Sequence, residues 1–388
     1  MMSTEFPINR PSPYLPYLSE SNDEFLGPWI HWNHLNYHIE QNDILSQCPP
    51  TGETVDIGKF PPSLLDKLLQ ENKITDPRVI VGPGTGEDAA VLDLGETLLV
   101  AKSDPITFAT DRIGRYAVQV NANDVACTGG TPRWFLATLL VPERFTEAQA
   151  KELFTQVLDA CNEIGVTLIG GHSEITYGID RPLVAGTMLG EVSRERLVRT
   201  AGAQEGDSIV VTKGIAIEGT ALLALERADD LRKAGVRADT IKLSAELLDF
   251  PGISVINDAR IACDNAQIHS MHDVTEGGLV TGLREVAAAA GLGLAIEEGS
   301  IPLLELTQEV CQALGLNPLG LLASGALIIT LSPVEVPSLL AALEKNGIDG
   351  WEIGVMMAPE EGFVYIGREG EVELPKFSRD ELARYFSR

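Results

Sequence analysis

From about residue 56 onward the chain alternates short β-rich runs with helix-patterned segments, and this alternation constrains the fold more than any other feature. VIVGPG (79–84) and AAVLDL (89–94) flank a glycine loop, and TLLVAKSD (97–104) is a strand pattern that ends at Asp104. Residues 113–127 predict a helix, because Ile113, Tyr116, Ala117 and Val120 recur at i, i+3, i+4 and i+7. Asn121 and Asp124, three apart, share a face near its carboxy-terminal end. WFLATLLV (134–141) predicts a buried strand, and Thr146 is placed to cap a helix that stops before Gly165. VTLIGG (166–171) and LVAGTMLGEV (183–192) complete one α/β unit. After a composition break at AGAQEGDS (201–208), IVVTKG (209–214) opens a second unit. It continues with a helix near 218–228, a long amphipathic segment through 250, and HDVTEGGL (272–279) leading into a helix capped by Thr275. LASGALIITL (322–331) and WEIGVM (351–356) read as strands. The spacings are too irregular for a repeat barrel, so the expectation is a layered α/β (α+β) fold. A chain of 388 residues exceeds one comfortable core, and the breaks divide it into an extension (1–55) and two domains (56–205 and 206–388).

The extension carries prolines at 7, 11, 13 and 16, which forbid a regular helix there, and many aromatics. Its His31, His34 and His38 have helical spacing, but aromatic packing with solvent-facing imidazoles is favoured over a metal site. The formal charge of −27 argues against nucleic-acid and anionic membrane partners. It does not oppose a nucleotide if metal ions stand between carboxylates and phosphates. The five cysteines are scattered without a C-x-x-C pair, which fits reduced thiols and a cytoplasmic location. The amino terminus lacks a signal-peptide pattern, and no apolar run is long enough to span a membrane.

Four segments could carry chemistry. GPGTGEDAAVLDL has glycines at 82, 84 and 86 that let backbone N–H groups approach an anion. It is not a Walker loop, because no Gly-Lys-Ser/Thr follows, and not a dinucleotide fingerprint, because a strand rather than a helix follows. Asp88, Asp104 and Asp124 sit at element ends; each alone reads as a cap or turn former, but together they suit Mg²⁺, which takes hard oxygen ligands. GGHSE (170–174) projects His172 and Glu174 from the loop after a buried strand. HDVTEGG crowds His272, Asp273 and Glu276 at a helix start whose dipole favours anions.

These segments, with NANDVA, VTKGIAIEGTA and LASGALIIT, resemble in order the superfamily of aminoimidazole ribonucleotide synthase, thiamine-monophosphate kinase, selenophosphate synthetase and HypE, over about residues 56–370. The HypE-like branch is the most similar. The resemblance implies a PurM-like two-domain fold, with an ATP-binding amino-terminal domain whose sheet pairs with a second copy's to form a dimeric β-barrel. A layered α/β carboxy-terminal domain would close over the nucleotide. It implies Asp88, Asp104, Asp124 and Glu276 as Mg²⁺ positions, and Gly84, Gly86, Asn121, Asn123, Glu174 and His272 as ATP positions. Asp273, His172 and Lys213 would act in catalysis, with Glu218 in the same strand–helix turn as Lys213. The implied reaction is phosphoryl transfer from ATP to an oxygen or related nucleophile of a small-molecule or protein-borne substrate. Two departures bear on this. His172 stands where the family often has Asp, with Glu174 as the substitute carboxylate, and no cysteine follows Cys311, whereas HypE carries its reactive cysteine as the last residue. Cys48, beside Pro49 and Pro50, is not favoured as a catalytic thiol. A nucleotide-binding scaffold and a thiamine-monophosphate kinase-like enzyme stay open as alternatives.

Overall fold

The computed structural model describes residues 60–387 except 61, 85, 108 and 110. The aromatic extension, with His31, His34, His38 and Cys48, lies outside the described residues. After helix α1 (Pro62–Gln70), the first layer is a sheet of β1 (Val79–Val81), β2 (Ala90–Asp93), β3 (Leu98–Ile106), β4 (Thr131–Pro142), β5 (Thr167–Thr176) and β6 (Leu183–Val192). The strand order is β1-β2-β3-β6-β4-β5, antiparallel except for β4 and β5. That parallel pair is joined by α3 (Glu147–Glu163), the helical crossover a parallel connection needs. Thr146 and Gln149 close a reciprocal capping box at the start of α3.

The second layer is a sheet of β7 (Ser208–Thr212), β8 (Ile268–Asp273), β9 (Gly293–Glu297), β10 (Leu327–Leu331), β11 (Gly350–Met357), β12 (Phe363–Gly367) and β13 (Gly370–Glu373). Its order is β13-β12-β9-β11-β7-β10-β8. Every residue of β7 and β10 is buried, because helices cover both faces of the sheet. One face packs against α8 (Gly278–Ala290) and the other against α7 (Ile256–Asn265) and α10 (Val336–Lys345). A third apolar cluster joins α4 (Ile217–Glu226), α5 (Ala228–Lys233), α6 (Ala238–Glu246), α9 (Glu305–Leu314) and the terminal α11 (Glu381–Phe386). None of the described helices is long and apolar enough to cross a membrane.

The element that positions the site is α2 (Ile113–Cys127). The periodicity predicts one apolar face, yet every residue except Arg115 is buried. The reason is that α2 is wedged between layers. Ala117, Val118 and Val125 join the first sheet's core, Tyr116 joins the α4–α9 cluster, and Ala126 and Cys127 enter the second sheet's core. Its polar residues are therefore carried into the interior, where each must find a partner or cost free energy.

Three expectations change. The segment GGHSE is strand rather than loop, since β5 continues through Thr176. The expected helix near 218–228 is α4, but the amphipathic stretch after it is broken into α5 and α6. Helix α8 starts at Gly278 with Gly277 rather than Thr275 at its cap position. There the Gly277 N–H donates to Asp380 Oδ2 at 2.6 Å, so a carboxylate from the chain's far end serves the helix N-terminus.

Candidate active site

Asp88 leaves the glycine loop, Asp104 lies near the end of β3, Asp124 lies on the last turn of α2, and Asp273 ends β8. The layers bring these four acids together around two cations. Lys102 Nζ sits 3.3 Å from Asp104 Oδ2 and 3.3 Å from Asp124 Oδ1. His272 Nδ1 sits 2.6 Å from Asp88 Oδ1, and its Nε2 sits 3.0 Å from Glu285 Oε2. Asp88, Asp124, His272 and Asp273 are all buried.

Burial and charge set the protonation of the cluster. Burial pushes the Asp124 carboxyl well above its ordinary range, with Lys102 pulling the other way. Burial and then the Asp88 charge raise Asp273 to about 6. For Lys102 burial opposes the charge, but Asp124 and Asp104 outweigh it and hold the ammonium above its ordinary value. For His272 burial favours the neutral ring, and Asp88 and Glu285 overcome it. Even so, Asp88 Oδ2, Asp124 Oδ2 and Asp273 Oδ2 are buried with no hydrogen-bond partner among the described residues. Buried carboxylate oxygens without donors are costly, and a cation held among them would remove that cost. The donor set of hard oxygens fits Mg²⁺.

The two asparagines act as clamps. Asn121 Oδ1 accepts from the Asp104 N–H at 2.8 Å, and its Nδ2 donates to the carbonyls of Ala117 and Asp104 at 2.8 and 3.2 Å. This ties Asp104 to α2. Asn123 Nδ2 donates to Ile253 O at 2.8 Å and its Oδ1 accepts from the Val255 N–H at 2.9 Å, tying α2 to the second layer. Gly86, at φ 85°, lies so close to α8 that a Cβ would stand 2.7 Å from the Glu285 carbonyl, so its glycine serves packing between layers. Among the described residues a Cβ on Gly84 would meet only Glu87, at 3.6 Å.

Other expected residues stand apart. His172 and Glu174 pair with each other at 3.2 Å on exposed edge strand β5. Across the sheet, the row through Asp104 runs Gly186, Ala137, Gly171, so these two residues lie three strands away from Asp104, about 14 Å at normal strand spacing. Lys213, at φ 61°, donates to Ser254 O at 2.5 Å and pairs with Asp258 at 3.3 Å. Burial lowers its pKa, and it lines a separate hollow of about 350 Å³ with Arg115 and Asp249. Glu276 neighbours Glu218 and Asp380. Burial raises Glu218 to about 7, and Ser324 opposes the shift.

Lys102 and Cys127 belong to the cluster but were not singled out by motif. Both were within reach of spacing arguments: Lys102 is two residues before Asp104 on a strand, and Cys127 three after Asp124 on a helix.

A wedge helix between an antiparallel-rich sheet and a helix-covered mixed sheet, with carboxylates from both layers at the junction, defines a two-domain α/β protein with a polar interlayer site. Residues 86–192 match the N-terminal domain and residues 204–367 the C-terminal domain of AIR synthase related protein, and the chain belongs to that family. It is 27% identical over 293 residues to carbamoyl dehydratase HypE of Cupriavidus necator, covering 72% of this chain and 79% of that one. It is 29% identical over 346 residues to a selenide, water dikinase of Geobacter metallireducens, covering 79% and 95%. A solved structure of hydrogenase maturation protein HypE in complex with ATP shares the fold at TM-score 0.63 and 23% identity, covering 78% of this chain and 92% of that one.

Proposed function

We propose that this chain binds ATP with Mg²⁺ at the junction of its two sheets and transfers a phosphoryl group to an oxygen or related nucleophile of a substrate. The observation that carries this reading is the convergence of Asp88, Asp104, Asp124 and Asp273, three of them with buried, unbonded oxygens. The HypE structure with ATP and the dikinase relative support the nucleotide. A bound divalent ion would neutralise charge on phosphoryl oxygens. Asp88, Asp124 and Asp273 would hold it, and Asn121 fixes the Asp104 backbone against α2. Lys102 supplies a fixed positive charge beside the same acids. Glu276 stands beside Glu218 and Asp380, and His172 and Glu174 would reach the nucleotide only from a second copy.

We place that copy along β5, an edge strand with Ile169 and Ile175 exposed at 51% and 65% and Tyr177 just past its end at 64%. Pairing there would close the barrel. Light scattering should then give twice the chain mass, and Ile175→Lys should give the monomer.

The nucleotide reading is tested by calorimetric titration with a non-hydrolysable ATP analogue and Mg²⁺. Asp124→Asn should weaken binding at least about tenfold, some 1.4 kcal/mol, and Asp104→Asn should weaken it too. Wild-type affinity in both variants would sink the assignment.

A further inference from the structure

The hollow beside Lys213 is lined by the amino-terminal half of α2, the turn at 248–252 and the start of α7, and none of Asp88, Asp104, Asp124 and Asp273 lines it. Its volume of about 350 Å³ is that of a pocket for a small molecule. Gln119, 2% exposed, forms part of the wall, and Asn123 one turn further along α2 pins the adjoining segment at Ile253 and Val255. Two polar atoms of the α2 wall have no hydrogen-bond partner among the described residues: Arg115 Nε, a donor, and Gln119 Oε1, an acceptor. They stand four residues apart, so the two side chains are neighbours on one helix face. Charge in the lining is balanced, with Arg115, Lys213 and Arg260 against Glu163, Asp249 and Asp258. The cations are already paired: Arg115 with Asp249 at 2.6 Å and Glu163 at 3.3 Å, Lys213 with Asp258 at 3.3 Å, and Arg260 with Asp264 at 3.5 Å. Phe250, also in the lining, is 82% exposed, so a flat apolar ring stands open to solvent at the hollow.

We propose that this hollow is a second small-molecule site, for a neutral planar ligand whose edge carries a carbonyl beside an N–H, as an aromatic carboxamide or a nucleobase does. The ligand carbonyl accepts from Arg115 Nε and the ligand N–H donates to Gln119 Oε1, which satisfies two groups that are costly to leave unpaired. The ring stacks on Phe250 and covers its exposed face. Neutrality follows from the charge balance. An anion would have to compete with Asp249 or Asp258 for cations that are already paired, and a cation would have to compete with Arg115 or Lys213 for the acids. The site goes beyond the nucleotide reading and does not depend on it. The two share α2, but Gln119 and Asp124, five residues apart, project about 140° from each other around that helix.

The test titrates the full chain, without ATP or Mg²⁺, with benzamide and with benzoate, two ligands of one shape and different charge, followed by ligand-observed NMR. Expected is saturable benzamide binding with a Kd of about 1 mM, and benzoate binding at least about tenfold weaker. Gln119→Leu keeps the bulk but removes the acceptor, and should weaken benzamide at least about tenfold. Phe250→Ala removes an exposed ring that the fold does not need, and should weaken benzamide about threefold. Benzamide that binds no better than benzoate, or not at all, overturns the proposal, and so does wild-type affinity in either folded variant. Should Gln119→Leu fail to fold, Phe250→Ala and the benzoate ratio decide. Calorimetry of the same sample with the ATP analogue and Mg²⁺ reads the other site. Nucleotide binding without benzamide binding refutes the hollow as a site and leaves the nucleotide reading standing.

Discussion

Lys102→Met tests whether the cluster is built around a resident cation. The ammonium touches two acids, but the two pairs are unequal. Asp104 is 37% exposed, so its share is screened and small, whereas Asp124 is 4% exposed. Removing one partner of a buried pair costs about 3–5 kcal/mol when the other charge is stranded. Asp124 has a way out, because its carboxyl already sits well above the ordinary range and can take a proton. The loss should therefore be about 3 kcal/mol at about pH 8 and shrink toward acid pH as protonation substitutes for the ammonium. Added Mg²⁺ should rescue the variant more than the wild type, since the vacated position lies between two carboxylates. A cation at a hundred times its Kd would restore about 2.7 kcal/mol. Chemical and thermal unfolding in chelator, then in Mg²⁺, across pH, measure all three effects. A variant as stable as wild type in alkaline chelator, or a loss insensitive to both pH and Mg²⁺, would refute the reasoning.

Three further outcomes are expected. Asp273 ionises at about 6 in the fold against an ordinary 3.8, so the folded chain keeps a proton that the unfolded chain has lost, and metal-free stability should fall as pH rises between these values. At about 1.36 kcal/mol per unit this is roughly 3 kcal/mol, and Glu218, at about 7, extends the decline; thermal midpoints in chelator should show the slope, and Asp273→Asn with Glu218→Gln should flatten it. Gly171→Ala puts a Cβ 1.9 Å from the Ala137 carbonyl at φ 137°, so β5 must leave β4, and denaturant unfolding should report a loss above about 2 kcal/mol; Gly165→Ala, at φ 70° but facing open space, should cost only about 1 kcal/mol. Asp380→Ala strips the acceptor from the Gly277 and Leu382 N–H groups, so the terminal helix should become protease-sensitive and stability should drop by about 1–2 kcal/mol.

Local order was legible because it rests on neighbours in sequence. The stripe through Ile113, Tyr116, Ala117 and Val120 gave the helix its limits at 113–127, and Thr146 with Gln149 carries its own cap. The motif order also held the fold class and the acids Asp88, Asp104 and Asp124 as candidates. Where the signal was only compositional, it misled. GGHSE reads as loop because glycines usually break strands, yet β4 supplies hydrogen bonds that carry β5 through it. Thr275 has the chemistry of a cap, but that helix end is served by Asp380, 103 residues away.

By itself, then, the sequence located the helices and strands whose signal is periodic and put the candidate acids near element ends, since periodicity and capping act over a few residues. Tertiary structure decided which of those acids meet. Cys127 and Asp273 are 146 residues apart and touch only because α2 packs against β8. Lys102 acquires its role only where β3 lies beside that same helix. Hydrophobic layers bring such groups together whatever their local pattern, and the electrostatics of the site follow from the burial that results.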